Sequence, residues 1–173
     1  MKKVLFACSL MLGCSSLALG AAVGPKGDPA AGKDKTATCA ACHGADGNSL
    51  APSFPKLAGQ GEKYLLKQMK DIRDGARPVP TMVGQVDNMS DQDLADIAAY
   101  YASQTSTGAQ TDPDLLELGE RIYRSGIIER EVAACTACHA PSGKVNAAAG
   151  FPALSGQNPE YIAAQMWAYR KGY

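Results

Sequence analysis

The chain has 173 residues, 46% of them hydrophobic, and its 17 basic and 17 acidic side chains give a formal net charge of zero. This length allows one domain or two small ones, and the lack of a basic excess argues against nucleic acid as a partner. No stretch approaches the ~20 consecutive apolar residues that a membrane-spanning helix needs. The composition therefore predicts a small soluble protein.

Residues 1–20 are typical of a secretory signal peptide. Lys2 and Lys3 precede an apolar run over residues 4–12, and small residues then lead to a cleavage position after Gly20. An alternative is a lipoprotein signal, because "LMLGC" ends at Cys14, although it has methionine where leucine is usual. The first alternative predicts export to the periplasm, and the second predicts a lipid anchor there. Cleavage leaves 15 basic residues against 17 acidic ones.

Three helices are predicted between residues 28 and 103. Asp28 followed by Pro29 is a typical helix start, since the carboxylate caps and the proline suits the first turn. A further helix is predicted from Ser90, whose hydroxyl can cap it while Asp93 reaches back. No stretch alternates with the period of a strand, so the predicted fold class is all-α with long loops. Between the helices that start near Asp28 and Ser90, a third helix is predicted from residues at helical spacing: Tyr64, Leu65, Gln68, Met69 and Ile72.

The central motif is a repeated unit of two cysteines and a histidine. The stretch "CAACHGADG" begins at Cys39, and "CTACH" begins at Cys135, 96 positions later. His43 and His139 end these units and are the only two histidines of the chain. Simple disulfides would not explain why a histidine follows each pair.

The sequence around these units is also repeated. "FPKLAGQ" at residues 54–60 returns as "FPALSGQ" at 151–157, and "EKYLLKQM" at 62–69 returns as "PEYIAAQM" at 159–166, both 97 positions later. A polar segment without charged residues, "SQTSTGAQT", separates the copies. The predicted organisation is a first domain over residues 23–105, a linker over 106–111 and a second domain over 112–173.

The Cys-x-x-Cys-His spacing is typical of covalent haem attachment. Cysteines three apart on a helical turn face the same way, so both thiols can add to the two vinyl groups of one haem. The pairs Cys39/Cys42 and Cys135/Cys138 are therefore predicted to bind one haem c each, with His43 and His139 as axial iron ligands. A zinc site would need both pairs close together, and a thioredoxin-like pair would need a strand before it.

A methionine is expected on the other side of the first iron. A thioether there fills the site and raises the reduction potential. Met69 and Met166 lie at equivalent places on amphipathic helices, and Met89 directly precedes a helix start, so these are expected to pack. Met82 lies in "RPVPTMVG", where two prolines prevent regular helix and present a stiff loop. Met82 is the predicted ligand, with Met89 as the alternative.

On these residues the sequence resembles the class I c-type cytochromes, and more closely the diheme cytochromes of the c4 type. The resemblance rests on "CAACHGADGNS", "FPKLAGQGEKYLLKQM", "MSDQDLADIAAYYASQ" and the second "ACTACHAPSG…GFPALSGQ". It implies two tandem cytochrome c-like domains, each with its own haem. It also implies that the carbonyl groups of Pro55 and Pro152 orient the haem-binding histidines. Gly32 and Tyr100 or Tyr101 resemble the glycine–aromatic contact between the first and last helices of such domains, as does Gly119 in the second copy.

The second copy departs from the family pattern at its end. The position equivalent to Met82 would be 179, beyond Tyr173, so the second sulfur ligand and a closing helix are not found. The second domain is therefore interpreted as incomplete at its C-terminus, with the sixth ligand of its haem expected beyond Tyr173.

The resemblance implies a one-electron carrier rather than an enzyme. The expected partners are redox proteins such as a quinol-oxidising complex and a terminal oxidase, and peripheral association with the membrane is compatible with them. Two alternatives are left open: a diheme peroxidase with one open iron, and a haem subunit of a larger oxidoreductase complex.

Overall fold

A computed structural model of the protein describes residues 24–172. The predicted signal peptide, including Cys14 and its alternative role, lies outside the described residues. The described part contains seven α-helices and three single 3-10 turns, and apart from two isolated bridge pairs it contains no β-structure. None of these helices has the length and apolar character needed to cross a bilayer. The helices are α1 Pro29–Asp34, α2 Ala40–His43, α3 Glu62–Arg73, α4 Asp91–Ser103, α5 Leu116–Ser125, α6 Thr136–His139 and α7 Pro159–Arg170.

The all-α prediction is confirmed, and the predicted helix starts are visible at atomic level. The Asp28 carboxylate accepts a hydrogen bond from the Ala30 N–H at 2.8 Å. Ser90 and Asp93 form the reciprocal capping box before α4. Asp112 caps in the same way, but the turn that it opens is a 3-10 turn over Pro113–Leu115, and α5 starts only after it.

The core of the first copy forms where α1 and α3 pack on α4. Small residues on α4 let the other helices approach closely, and the fully buried members of its inner face include Leu94, Ile97 and Tyr101. Gly32 of α1 is buried against α4: a Cβ atom built on Gly32 would lie 2.0 Å from the carbonyl oxygen of Asp96. The same Cβ would lie 2.9 Å from Tyr100, which identifies Tyr100 as the aromatic residue of this contact.

The second copy has α5, α6 and α7 in the order of α1, α2 and α3, and the described residues contain no counterpart of α4. Leu65 of α3 packs in the core with α4, whereas its equivalent Ile162 of α7 lines an open groove of about 510 Å³. A Cβ atom built on Gly119 would meet nothing within 4 Å in the described structure. Apolar side chains of α5 and α7 are correspondingly exposed, among them Leu116 and Trp167, each at 59%.

The linker is fastened to the first copy. The Asn48 side chain donates to the carbonyl oxygen of Thr105 and accepts from the N–H of Thr107. The Lys56 ammonium group is buried and donates to the carbonyl oxygen of Ser49 and to the hydroxyl of Thr107. The segment between the copies therefore follows a fixed path along the first one.

Candidate functional site

Both Cys-x-x-Cys-His units fold as a single helical turn, α2 in the first copy and α6 in the second. Cys39 and Cys135 stand at the N-cap positions with helical backbone angles, φ −67° and ψ −33° for the first and φ −63° and ψ −29° for the second. The N–H of His43 donates to the Cys39 carbonyl at 2.9 Å, and that of His139 to the Cys135 carbonyl at 3.0 Å. Each pair of cysteines therefore projects from one turn, as attachment to the two vinyl carbons of one haem requires.

The cysteines are available for this chemistry. None of the four described cysteines forms a disulfide. The first of each pair, Cys39 and Cys135, is half-buried, and the second, Cys42 and Cys138, is exposed. Burial raises the pKa of the Cys39 thiol, which keeps it protonated at neutral pH.

The two imidazoles are oriented by equivalent backbone carbonyls. The Nδ1 atom of His43 lies 2.9 Å from the carbonyl oxygen of Pro55, and Nδ1 of His139 lies 2.9 Å from that of Pro152. Because a carbonyl oxygen can only accept, Nδ1 must carry the proton and Nε2 must present its lone pair. Nε2 is thus the atom that can bind iron, and its basicity is increased by the hydrogen bond on the other side of the ring.

The surroundings keep the first imidazole neutral. Burial lowers the pKa of His43 below its usual 6.5, against an opposing contribution from the hydrogen bond to Pro55. The edge of the ring also meets Phe54, with ring centroids 6.1 Å apart. His139 meets Phe151 in the same way at 5.7 Å, although His139 is only half-buried. A neutral imidazole is the form that binds iron.

The methionines fall into different environments. Met69 and Met89 pack against the buried core cluster of the first copy, and Met166 is 52% exposed on α7. Met82 is half-buried and ends the 3-10 turn Pro80–Met82, which Pro80 opens. Met82 is the one of these four with neither a core position nor an α-helical one, and it stays the predicted sulfur ligand of the first haem.

A buried hydroxyl group marks the first attachment point. The Oη atom of Tyr101 is the one buried side-chain nitrogen or oxygen in the described part of the chain that has no hydrogen-bond partner. It lies beside the Cys39 thiol and the Thr36 hydroxyl. An unsatisfied buried hydroxyl costs about 1–3 kcal/mol, and it lies here where the haem would be attached. The residues of this site therefore fit a covalently bound haem.

Sequence reasoning missed the contacts that join the two copies. The Gln157 side chain accepts from the Lys56 N–H at 2.7 Å and donates to the Lys56 carbonyl at 2.9 Å. The Gln60 side chain makes the equivalent pair with Ala153, both at 2.9 Å. Gln60 and Gln157 are 97 positions apart, as are Lys56 and Ala153, so the two pairs are related by the internal repeat. The glutamine that ends both "FPxLxGQ" stretches was the available signal.

Comparison with known proteins supports the family resemblance. The cytochrome c family profile matches residues 29–105. The chain is 55% identical over 172 residues to cytochrome c4 of Pseudomonas aeruginosa, an alignment that covers 99% of this chain and 83% of the relative. It is also 36% identical over 144 residues to the thiosulfate dehydrogenase electron acceptor of Stutzerimonas stutzeri, covering 78% of this chain and 63% of that protein.

A solved structure agrees with the sequence comparison. The crystal structure of reduced recombinant cytochrome c4 from Pseudomonas stutzeri superposes with a TM-score of 0.82 at 51% sequence identity. The match covers 84% of this chain and 82% of the crystallised one, so it includes both copies of the repeat.

Proposed function

Because this chain belongs to the cytochrome c4 family and so carries two covalently bound haem c groups, we propose that it passes single electrons between respiratory-chain proteins in the periplasm. A haem held by each Cys-x-x-Cys-His unit would supply one-electron chemistry between a ferrous and a ferric state. The observation that carries the proposal is the duplicated arrangement of cysteine pair, imidazole and orienting carbonyl, at 2.9 Å in both copies.

The chain contributes positioning rather than substrate chemistry. The carbonyl groups of Pro55 and Pro152 fix the tautomer and direction of the imidazoles, so the Nε2 lone pairs of His43 and His139 would be held ready to bind iron. We assign the covalent attachment to Cys39/Cys42 and Cys135/Cys138. On the inner side of the first site, Cys39 packs against the buried cluster that includes Ile97 and Tyr101 of α4.

The ligand assignment is tested by replacing Met82 with alanine. Loss of the thioether should abolish the sulfur-to-iron charge-transfer absorption of the first ferric haem and lower its potential, because a thioether favours the ferrous state. The matched control is Met166→Ala, which removes an exposed methionine of α7 and should leave both properties unchanged. An absorption band that survives in Met82→Ala would show that another residue binds the first iron.

The expected partners are a quinol-oxidising complex as donor and a terminal oxidase as acceptor. A second candidate donor is a thiosulfate dehydrogenase, favoured by the likeness to proteins named as thiosulfate dehydrogenase electron acceptors. Stopped-flow reduction of the oxidised diheme protein separates the two. Fast reduction by a quinol-oxidising complex but not by thiosulfate dehydrogenase with thiosulfate supports the first, and the reverse result supports the second.

A further inference from the structure

Tyr101 of α4 carries a buried hydroxyl group whose hydrogen has no acceptor in the described structure. Tyr101 is 1% exposed, and its Oη atom is the one buried side-chain nitrogen or oxygen of residues 24–172 without a hydrogen-bond partner. The neighbouring Tyr100 shows the usual arrangement, because its hydroxyl donates to the carbonyl oxygen of Ala45 at 2.9 Å. A buried phenol normally finds such a partner, since its loss of contact with water is otherwise uncompensated.

The ring of Tyr101 is held in place by its neighbours. The carbonyl oxygen of Tyr101 accepts a hydrogen bond from the Gly59 N–H at 3.0 Å. The backbone of Gly47 lies against the ring, so that a Cβ atom built on Gly47 would lie 2.7 Å from Cδ1 of Tyr101. The ring also packs beside that of Tyr100, with centroids 5.2 Å apart. The position of Oη is therefore set by packing and not by a hydrogen bond.

Two side-chain atoms lie beside Oη, namely the hydroxyl oxygen of Thr36 and the sulfur of Cys39. Cys39 also packs against the buried cluster to which Tyr101 belongs. Thr36 is 4% exposed and donates its hydroxyl hydrogen to the Lys33 carbonyl at 2.8 Å, so towards Tyr101 it can only accept. The Thr36 oxygen and the Cys39 sulfur are thus the two competing acceptors, and haem attachment changes the sulfur alone.

Attachment removes the only hydrogen of the Cys39 sulfur. When the thiol adds to a vinyl group, a carbon–sulfur bond forms, the vinyl π bond breaks and the thiol hydrogen moves to the terminal carbon, with no net oxidation or reduction. The resulting thioether sulfur can accept a hydrogen bond but cannot donate one. Burial raises the pKa of the Tyr101 phenol, so this group keeps its hydrogen at neutral pH. A donor without an acceptor and an acceptor without a donor then lie side by side.

The two cysteines of the first unit differ in their access to water. Cys42 is exposed, whereas Cys39 is half-buried against the core. We propose that the Tyr101 hydroxyl donates a hydrogen bond to the sulfur that joins Cys39 to the first haem and thereby restrains rotation of this bridge. Tyr101 is thus a positioning residue for the haem. The inference rests on the proposed function, because it requires attachment through Cys39.

The test is resonance Raman spectroscopy of the haem-loaded protein with Tyr101→Phe and the matched control Tyr100→Phe. The carbon–sulfur stretching band of Cys39 is identified as the one that Cys39→Ala removes. This band should shift in Tyr101→Phe, which lacks the donor, and stay in place in Tyr100→Phe. In the parent protein it should also shift after equilibration in D₂O, because the hydroxyl hydrogen is replaced by deuterium, and Tyr101→Phe should lose this isotope shift.

Two results would overturn the inference. A band that stays in place in Tyr101→Phe would show that Oη donates elsewhere, for example to Thr36. An isotope shift that persists in Tyr101→Phe, or a shift of equal size in Tyr100→Phe, would show that the hydroxyl of Tyr101 is not its source. The difference spectrum between the parent protein and Tyr101→Phe decides by itself if Cys39→Ala does not load haem.

A double-mutant cycle in urea gives an independent decision. Tyr101→Phe should lower the urea midpoint of the parent protein and leave that of Cys39→Ala nearly unchanged, since the acceptor sulfur is already absent there. Equal losses in both backgrounds would overturn the inference. Haem counting by the pyridine haemochrome assay separates the two levels: fewer than two haems in the parent protein would refute the proposed function itself, whereas two haems with an insensitive Cys39 band would refute only the role of Tyr101.

Discussion

Replacing Gln157 with alanine should weaken the hydrogen bonding between the two copies and so lower the free energy of unfolding. The Gln157 side chain serves three buried backbone groups: the N–H and the carbonyl of Lys56 and the N–H of Asn158. Lys56 and Asn158 are each 6% exposed, so truncation leaves these groups with little access to water. Each unsatisfied group costs about 1–3 kcal/mol, and water that enters the site offsets part of this cost. We therefore expect Gln157→Ala to lower the free energy of unfolding by roughly 3–5 kcal/mol.

The equivalent substitution in the first copy should cost less. The Gln60 side chain makes two such hydrogen bonds, to the N–H and the carbonyl of Ala153, and Ala153 is only partly buried. Water can form part of the hydrogen bonding that Gln60→Ala removes from Ala153, so we expect the free energy of unfolding to fall by roughly 1–2 kcal/mol. Gln85→Ala is the control, since Gln85 is exposed and makes no side-chain hydrogen bond in the described structure, and it should stay within about 0.5 kcal/mol of the parent protein.

Urea unfolding of the haem-loaded protein measures these differences. Far-UV circular dichroism follows both copies, while fluorescence of Trp167, the single tryptophan, follows the second. The two transitions should coincide in the parent protein, and in Gln157→Ala the fluorescence transition should move to lower urea. A loss in Gln157→Ala no larger than that in Gln60→Ala would refute the reasoning from burial.

Two further predictions concern the first copy. Gly32→Ala should destabilise it by about 3 kcal/mol in urea unfolding, because the added Cβ would lie 2.0 Å from the Asp96 carbonyl oxygen; Gly119→Ala, with nothing within 4 Å, should be neutral or slightly stabilising in the 173-residue chain. A hydrogen bond from Lys35, assisted by Ser90, lowers the pKa of Asp93 to about 2. The ionised Asp93 carboxylate therefore stabilises the fold fully above its ordinary pKa of 3.8, and this stabilisation is lost as pH falls towards 2. Lys35→Met should therefore lower the melting temperature at neutral pH and flatten its fall between about pH 5 and pH 2, and an unchanged acid profile would contradict the assignment.

The sequence was most informative where one local rule determines the structure. The capping box at Ser90 and Asp93 depends on residues three apart, and it forms as predicted. The Cys-x-x-Cys-His units likewise fold as single helical turns. The contact of each histidine with a proline carbonyl was reached through family resemblance, because nothing in the spacing of His43 and Pro55 shows that a loop brings them to 2.9 Å.

Contacts between the copies could not be predicted in this way. Gln60 stands in the same local sequence as Gln157, and no local rule says that each side chain bonds to the backbone of the other copy rather than of its own. Nothing in the sequence around Arg77 indicated its hydrogen bonds to the second copy either, since its partners Tyr161 and Gln165 are 84 and 88 positions away. Such contacts depend on how the finished copies pack, which local patterning does not specify.

The repeat nevertheless separates what is shared by the two haem sites from what distinguishes them. The backbones of Lys56 and Ala153 make equivalent hydrogen bonds, so this part of the junction is symmetric and joins the copies as a dimer interface would. The side chains at these positions differ: Lys56 places a buried cation one residue from the carbonyl that orients His43, whereas Ala153 places nothing charged beside His139. Unequal potentials of two haems with the same attachment chemistry should therefore be sought at such non-equivalent residues, and Lys56→Met would shift the first haem more than the second if this is correct.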